Sequence, residues 1–187
     1  MRRESFAALW PLFAKATQPA KEMTESFSAL VHLRPSMKRL GSCRGIHVGD
    51  GAHARTAALF ALKSDSLNIS VDPIINEGVV RSWQDEYQIE RFSWRRSRIQ
   101  DAMAELNAMA PKPTVVTFVH AHVNSDDVLS EIRWDAAFIL ACCSPSSQFT
   151  HRYTPHAHGK DWGVLSVERR FQVLINPDSD SLDPSQI

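Results

Sequence analysis

The stretch from Gly45 to Pro73 constrains the fold of this chain more than any other. It reads Gly-Ile-His-Val-Gly-Asp-Gly-Ala-His-Ala-Arg-Thr-Ala-Ala-Leu-Phe-Ala-Leu, then a polar step from Lys63 to Ser66, then Leu-Asn-Ile-Ser-Val-Asp-Pro. Ile46 and Val48 are β-branched residues in a short run, as a strand buried on both faces of a parallel sheet requires. Gly49 and Gly51 follow at once, and without a Cβ they let backbone N–H groups approach a ligand. Thr56 to Leu62 is rich in Ala and Leu and predicts a helix whose positive end faces the same place. Leu67 to Val71 predicts a second strand with Asp72 at its carboxyl end. A carboxylate there, roughly 20 residues past the glycines, is placed to accept hydrogen bonds from ribose hydroxyls. The unit therefore predicts an adenosine-type cofactor site in a doubly wound α/β domain. Gly49, Asp50, Gly51, Ala52, His53, Asp72 and Pro73 are its candidate cofactor-binding residues. The plain alternative is a tight strand-to-helix turn that holds no ligand.

Gly49-x-Gly51-x-x-Ala54 fits the dinucleotide fingerprint, in which a third small residue lets the helix pack closely. The same residues resemble motif I of the class I S-adenosylmethionine (SAM) methyltransferases, with Asp72 as the acid after strand two. His53 stands where that motif usually has its third glycine. Three features favour the methyltransferase. A long segment precedes the first strand, whereas dinucleotide domains often begin near a chain start. The chain is too short for a dinucleotide domain plus a substrate domain. The order of elements beyond Asp72 also suits the methyltransferase fold. The resemblance covers about residues 45 to 176. It implies a mostly parallel, seven-stranded Rossmann-like sheet with helices on both faces, and SAM as cofactor.

At 187 residues the chain suits one domain with a proper core. Its 21 basic and 21 acidic side chains balance, so no global attraction to nucleic acid or membrane is encoded. No apolar run approaches a transmembrane span, and Met1-Arg2-Arg3-Glu4 leads into no apolar signal region. An amphipathic start that is basic at its tip is compatible with an organelle transit peptide. Three cysteines, two of them adjacent, make no disulfide framework, which points to an intracellular protein.

Residues 1–44 are expected to form a helical extension. Ser5 caps a first helix bent by Pro11. A second helix starts at Thr17 or Gln18 with Pro19 in its first turn, carries Met23, Phe27, Leu30 and Val31, and ends at Pro35. In methyltransferases such helices cover the cofactor or shape the substrate cleft; simple packing on the sheet is the plainer role. Beyond Asp72, residues 74 to 86 predict a short helix or loop, and Tyr87 to Trp94 a third strand. Arg95, Arg96 and Arg98 follow as candidate contacts to an anionic substrate, or as a solvated edge. Asp101 stands where the resemblance implies an acid on the adenine amino group, although the first turn of a helix also favours an acid there. That helix is expected to stop at Pro111.

Thr114 to Val119 is the strongest strand and runs into His120-Ala121-His122 at the end where open α/β sheets place ligands. Asn124 or Ser125 then caps a short helix, and Trp134 to Leu140 predicts a fifth strand. Residues 146 to 161 look like loop, Val164 to Val167 and Phe171 to Ile175 like a closing antiparallel pair, and Pro177 to Ile187 like a disordered acidic tail. His120 and His122 are candidate catalytic residues, since an imidazole titrates near neutral pH and can take a proton. With His151, His156, His158, Cys142 and Cys143 they also form a zinc-like ligand set, but in no familiar finger spacing. As rim residues they would merely satisfy loop backbone.

A methyltransferase chiefly aligns an acceptor with the methyl group, and needs a base only when that acceptor must lose a proton. The chain lacks an Asn/Asp-Pro-Pro-Tyr/Phe motif after strand four and an assignable Lys-Asp-Lys-Glu set. Ala141 stands before Cys142 where pyrimidine C5 methylation uses proline. Two functional classes follow. One is a SAM-dependent methyltransferase acting on RNA, its arginines and N-terminal helices forming the acceptor side. The other is a catalytically inactive methyltransferase-like subunit with a structural or regulatory role in a larger assembly. A nicotinamide-dependent oxidoreductase is third.

Overall fold

The computed structural model describes residues 3–142, 145–179 and 182. Two helices, α1 (Arg3–Ala14) and α2 (Pro19–Leu40), precede an alternation of strands and helices. This runs β1 (Arg44–Val48), α3 (Arg55–Lys63), β2 (Leu67–Val71), α4 (Glu77–Tyr87), β3 (Phe92–Arg95), α5 (Ile99–Ala108), β4 (Thr114–Val119), α6 (Ser125–Glu131) and β5 (Ala136–Leu140). The chain closes with α7 (Pro145–Gln148), β6 (Ala157–Lys160) and β7 (Arg170–Ile175). The seven strands form one sheet in the order β3-β2-β1-β4-β5-β7-β6. β1 to β5 are parallel, and β7 runs antiparallel to both β5 and β6. The expected seven-stranded, mostly parallel α/β sheet is thus what forms.

Strand alternation sorts the core into two layers, because successive side chains leave a strand on opposite faces. Val115 faces a layer built from Leu9, Phe13, Leu33, Phe60 and Phe138 under α1, α2 and α3. Its neighbour Val116 faces the other layer, with Ile46, Ile69, Met103 and Leu129 under α5 and α6. Every residue of β1 is buried, as a central parallel strand requires.

Several boundaries differ from the sequence reading. α2 does not end at Pro35 but continues to Leu40, where Gly41 (φ 67°) closes it by donating its amide to Met37 O. The proline removes one interior hydrogen bond. Leu33 and Met37 flank it and are both buried, so packing holds the helix through the defect. Tyr87 belongs to α4, which buries Val80 and Trp83 and stops at Gln88 in the left-handed region (φ 51°); β3 therefore starts only at Phe92. The strand beside β7 is Ala157–Lys160 rather than Val164 to Val167. An edge strand bonds on one side only and demands little β propensity, so His and Gly suffice there. Val164 is buried while Val167 is 99% exposed, as suits an irregular connection. The described part of the terminal segment is anchored: Ser179 Oγ donates to Asp135 Oδ1 at 2.5 Å, and Leu182 is buried. Residues 180, 181 and 183–187 of the expected tail lie outside the described residues.

Candidate cofactor site and the histidine beside it

The strand order reverses between β1 and β4, and open α/β sheets gather ligands at the carboxyl ends of strands at such a point. A crevice of about 540 Å³ lies there. Val48, Val71, Ile74, Ile99 and Val123 supply its apolar walls, and Asp72, Arg98, Gln100, His120, His122 and Asn124 its polar groups. Both its size and its mixed lining are those of a small-molecule site.

The glycine turn forms one side, and its two glycines are needed for different reasons. Gly49 has φ +66°, and a Cβ there would lie 2.8 Å from the Ala121 Cβ. Gly51 has φ +73° with open space around it, so only its conformation requires glycine. The next left-handed residue is Ala54 (φ 50°), the N-cap of α3, and not His53. His53 therefore replaces a glycine at a position without backbone strain. Its ring tilts against Trp83, 6.1 Å between centroids, and it is not part of the crevice wall.

Asp50 turns its carboxylate toward the helix that follows it. Its two oxygens accept from the amides of Thr56 (2.8 Å) and Ala57 (3.0 Å), capping α3 from inside the loop. Those helix amides are spent on the protein's own carboxylate rather than offered to a ligand. Desolvation pushes Asp50 up to about 6 in spite of these bonds. Asp72 does sit where the sequence places it, at the end of β2 on the crevice wall, and is only 8% exposed. Its Oδ2 accepts from Gly51 N and its Oδ1 from Ile74 N, both at 2.9 Å. A carboxylate offers about four lone-pair sites, so two remain for a ligand. Pro73 is exposed on the rim, and Ala52 O accepts from Asn76 N at 2.8 Å, tying the turn to α4.

The structure sends the three arginines in different directions. Arg95 lies in β3 and bonds Glu105 Oε1 through Nε (2.8 Å) and Nη2 (2.5 Å). Arg96 is exposed, and Arg98 precedes α5 on the crevice rim. Asp101 is exposed in the first turn of α5, one residue beyond the wall formed by Arg98, Ile99 and Gln100.

His120 ends β4 in the left-handed region (φ 54°), an uncommon conformation for a residue with a side chain. Its amide donates to Leu140 O at 3.0 Å, and the residue lines the crevice. On the buried side, Nε2 lies 3.2 Å from Glu25 Oε1 of α2. That contact is close enough for an ion pair but off the line of a good hydrogen bond, and among the described residues Nε2 has no hydrogen-bond partner. Burial lowers the His120 pKa, while the Glu25 carboxylate pulls it the other way. Glu25 is 4% exposed; it also accepts from Ser166 Oγ and sits 3.2 Å from Lys21 Nζ. His122 is exposed on the crevice, with Nε2 3.7 Å from Cys142 Sγ. His156 precedes β6 and His158 lies within it, on the sheet edge, and no three metal-binding side chains converge among the described residues. Cys143 lies outside the described residues.

No family model and no curated protein matches the chain. Solved structures do. MtNAS in complex with S-adenosylmethionine aligns over 93% of this chain and 72% of its own, at 8% identity and a TM-score of 0.54. MtNAS in complex with MTA and tNA gives 10% identity and 0.53 over 94% and 71%. Monomeric WbdD, another structure of which is described as a bifunctional kinase-methyltransferase, gives 14% identity and 0.53. That match spans 87% of this chain but 42% of WbdD.

The chain has the class I methyltransferase fold.

Within this fold the crevice residues fit an adenosine-type cofactor. Asp72 has acceptor capacity to spare at the strand end, Ile74 and Ile99 offer apolar faces for a base, and the two glycines keep one wall free of side chains. Glu25 is the residue that sequence reading missed. It lies on the helical face of α2 that also carries buried Ser26 and Ser28, and buried polar residues on a helix were the available signal. Among the described residues, no helix is long and apolar enough to cross a membrane.

Proposed function

We propose that the chain binds S-adenosylmethionine in the crevice at the β1–β4 switch point and catalyses methyl transfer, with His120 taking the acceptor's proton. The observation that carries this reading is the convergence of Asp72, the glycine turn and His120 on one crevice of about 540 Å³. Asp72 would hold the ribose hydroxyls on its two remaining lone-pair sites. Ile74 and Ile99 would flank the adenine. The bound cofactor supplies a methyl group on a sulfonium that is already a good leaving group, so alignment of the acceptor is the protein's main contribution. His120 is held neutral by burial and is therefore able to accept a proton at neutral pH.

Calorimetry with S-adenosylmethionine, S-adenosylhomocysteine and NAD tests this reading. Binding of the first two and not the third is expected, and so is a rise in melting temperature set by ligand concentration over Kd. Asp72→Ala should abolish that binding while unfolding stays cooperative; retained affinity would remove Asp72 from the site. A second reading has one observation in its favour: Asp50 and Asp72 already occupy four backbone amides around the turn. A non-catalytic subunit of a protein assembly would use them in that way, and silence with all three ligands would support it.

A further inference from the structure

We infer that Glu25 is a positioning residue: it fixes the His120 imidazole as the tautomer protonated on Nε2, leaving Nδ1 as the atom that takes the acceptor's proton. This rests on the reading of the crevice as a methyl-transfer site. Three observations converge on it. First, His120 lines the crevice, and its buried Nε2 lies 3.2 Å from the Glu25 carboxylate, at ion-pair distance though not in line for a hydrogen bond, with no hydrogen-bond partner among the described residues. A neutral imidazole carries one N–H, and which nitrogen bears it is set by what the other element presents. A carboxylate accepts and cannot donate, so Nε2 carries the hydrogen. Second, His120 holds φ 54°. Residues with a Cβ stay in that region only where the surroundings over-determine them, and such sites cluster where chemistry is done. Here the bond from His120 N to Leu140 O fixes the backbone, while the charge of Glu25 stands 3.2 Å from one ring nitrogen. Third, Glu25 is itself locked. It is 4% exposed, accepts from Ser166 Oγ in the β6–β7 connection and lies 3.2 Å from Lys21 Nζ one helical turn away.

The charged groups around the imidazole are Glu25 and Lys21 on α2, His122 on the β4–α6 loop and Glu168 in the β6–β7 connection. Of these only Glu25 is in direct contact with Nε2. The acceptor class follows from the chemistry: a base is needed only for a group that must lose a proton, so the site suits a hydroxyl, thiol or protonated amine rather than a thioether or tertiary amine. In the transfer, the acceptor heteroatom gains the methyl carbon as the C–S bond breaks. Its proton passes to Nδ1, and the imidazolium so formed is stabilised by the Glu25 carboxylate.

Long-range ¹H–¹⁵N spectra of the full chain test this, with the His120 signals assigned by their loss in His120→Gln. In the native protein the His120 pattern should be that of the Nε2–H tautomer. In Glu25→Gln that preference should be lost, because a neutral amide can both donate and accept, and the imidazole pKa should fall with the loss of the negative charge. SAM affinity should stay within about twofold, since Glu25 does not line the crevice. An Nδ1–H tautomer in the native protein overturns the inference without any variant being made. So does a Glu25→Gln spectrum indistinguishable from the native one. Ser166→Ala, which keeps the carboxylate, should retain the native tautomer; loss of it there would assign the effect to loop packing instead. Calorimetry separates the two levels: failure to bind SAM sinks the functional reading, whereas normal binding with the wrong tautomer sinks only the role of Glu25.

Discussion

Two titratable groups near the heart of the sheet give the stability of this protein a pH signature that one substitution should unmask. His47 is fully buried in β1, with Nδ1 2.9 Å from Thr117 Oγ1 and Nε2 3.0 Å from Asn68 Oδ1. Desolvation pushes its pKa down to about 4 from 6.5. The unfolded chain therefore binds the proton first, and stability is lost as pH falls through 6.5 towards 4. At about 1.36 kcal/mol per pH unit, the full effect is about 3 kcal/mol, of which about 2 kcal/mol falls between pH 7 and 5. Asp50 works in the opposite sense. Its folded pKa of about 6 lies above its ordinary 3.8, so the folded state holds the proton and stability is gained as pH falls through 6. Between pH 7 and 5 that gain is about 1.3 kcal/mol and offsets roughly two thirds of the His47 loss. Urea unfolding followed by tryptophan fluorescence at pH 5, 6 and 7 reads the difference. The native protein should lose only about 0.5 kcal/mol over this range, and Asp50→Asn about 2 kcal/mol. Parallel profiles for the two proteins would refute the argument, because they would mean that Asp50 titrates alike in both states.

The glycine turn and the arginines carry two further predictions. Gly49→Ala should cost more stability than Gly51→Ala, because it adds a 2.8 Å approach to the Ala121 Cβ on top of a left-handed backbone. About 1–2 kcal/mol is expected for the backbone strain alone, with the excess at Gly49 read from denaturation midpoints; equal costs would mean that Ala121 moves aside. Arg95→Ala removes an ion pair with the more than half-exposed Glu105, and should change stability by less than about 1 kcal/mol. It should leave SAM affinity unaltered, and a tenfold loss in calorimetry would mean that the Arg95–Glu105 pair shapes the crevice.

Much of the sheet was legible because strands and helices leave local marks. The β-branched run Thr114–Val119, the glycines after Val48 and the acid after Val71 each announce their element within a few residues. The errors fall where a partner in space outweighs the local signal. Pro35 looks like a helix end, yet buried Leu33 and Met37 carry the helix past it. Ala157–Lys160 has no strand pattern, and becomes one because β7 offers it an unpaired edge. The Asp50 carboxylate accepts from the amides of Thr56 and Ala57, a pairing that no local pattern announces.

By itself the sequence determined the doubly wound architecture, the position of the glycine turn and the placing of Asp72 at the crevice, since periodicity and turn chemistry depend on near neighbours along the chain. Only the tertiary structure decided that a glutamate from an N-terminal helix meets the histidine at the end of β4. Helix packing on a sheet fixes which distant side chains share a buried space, and no pattern within either segment encodes that meeting.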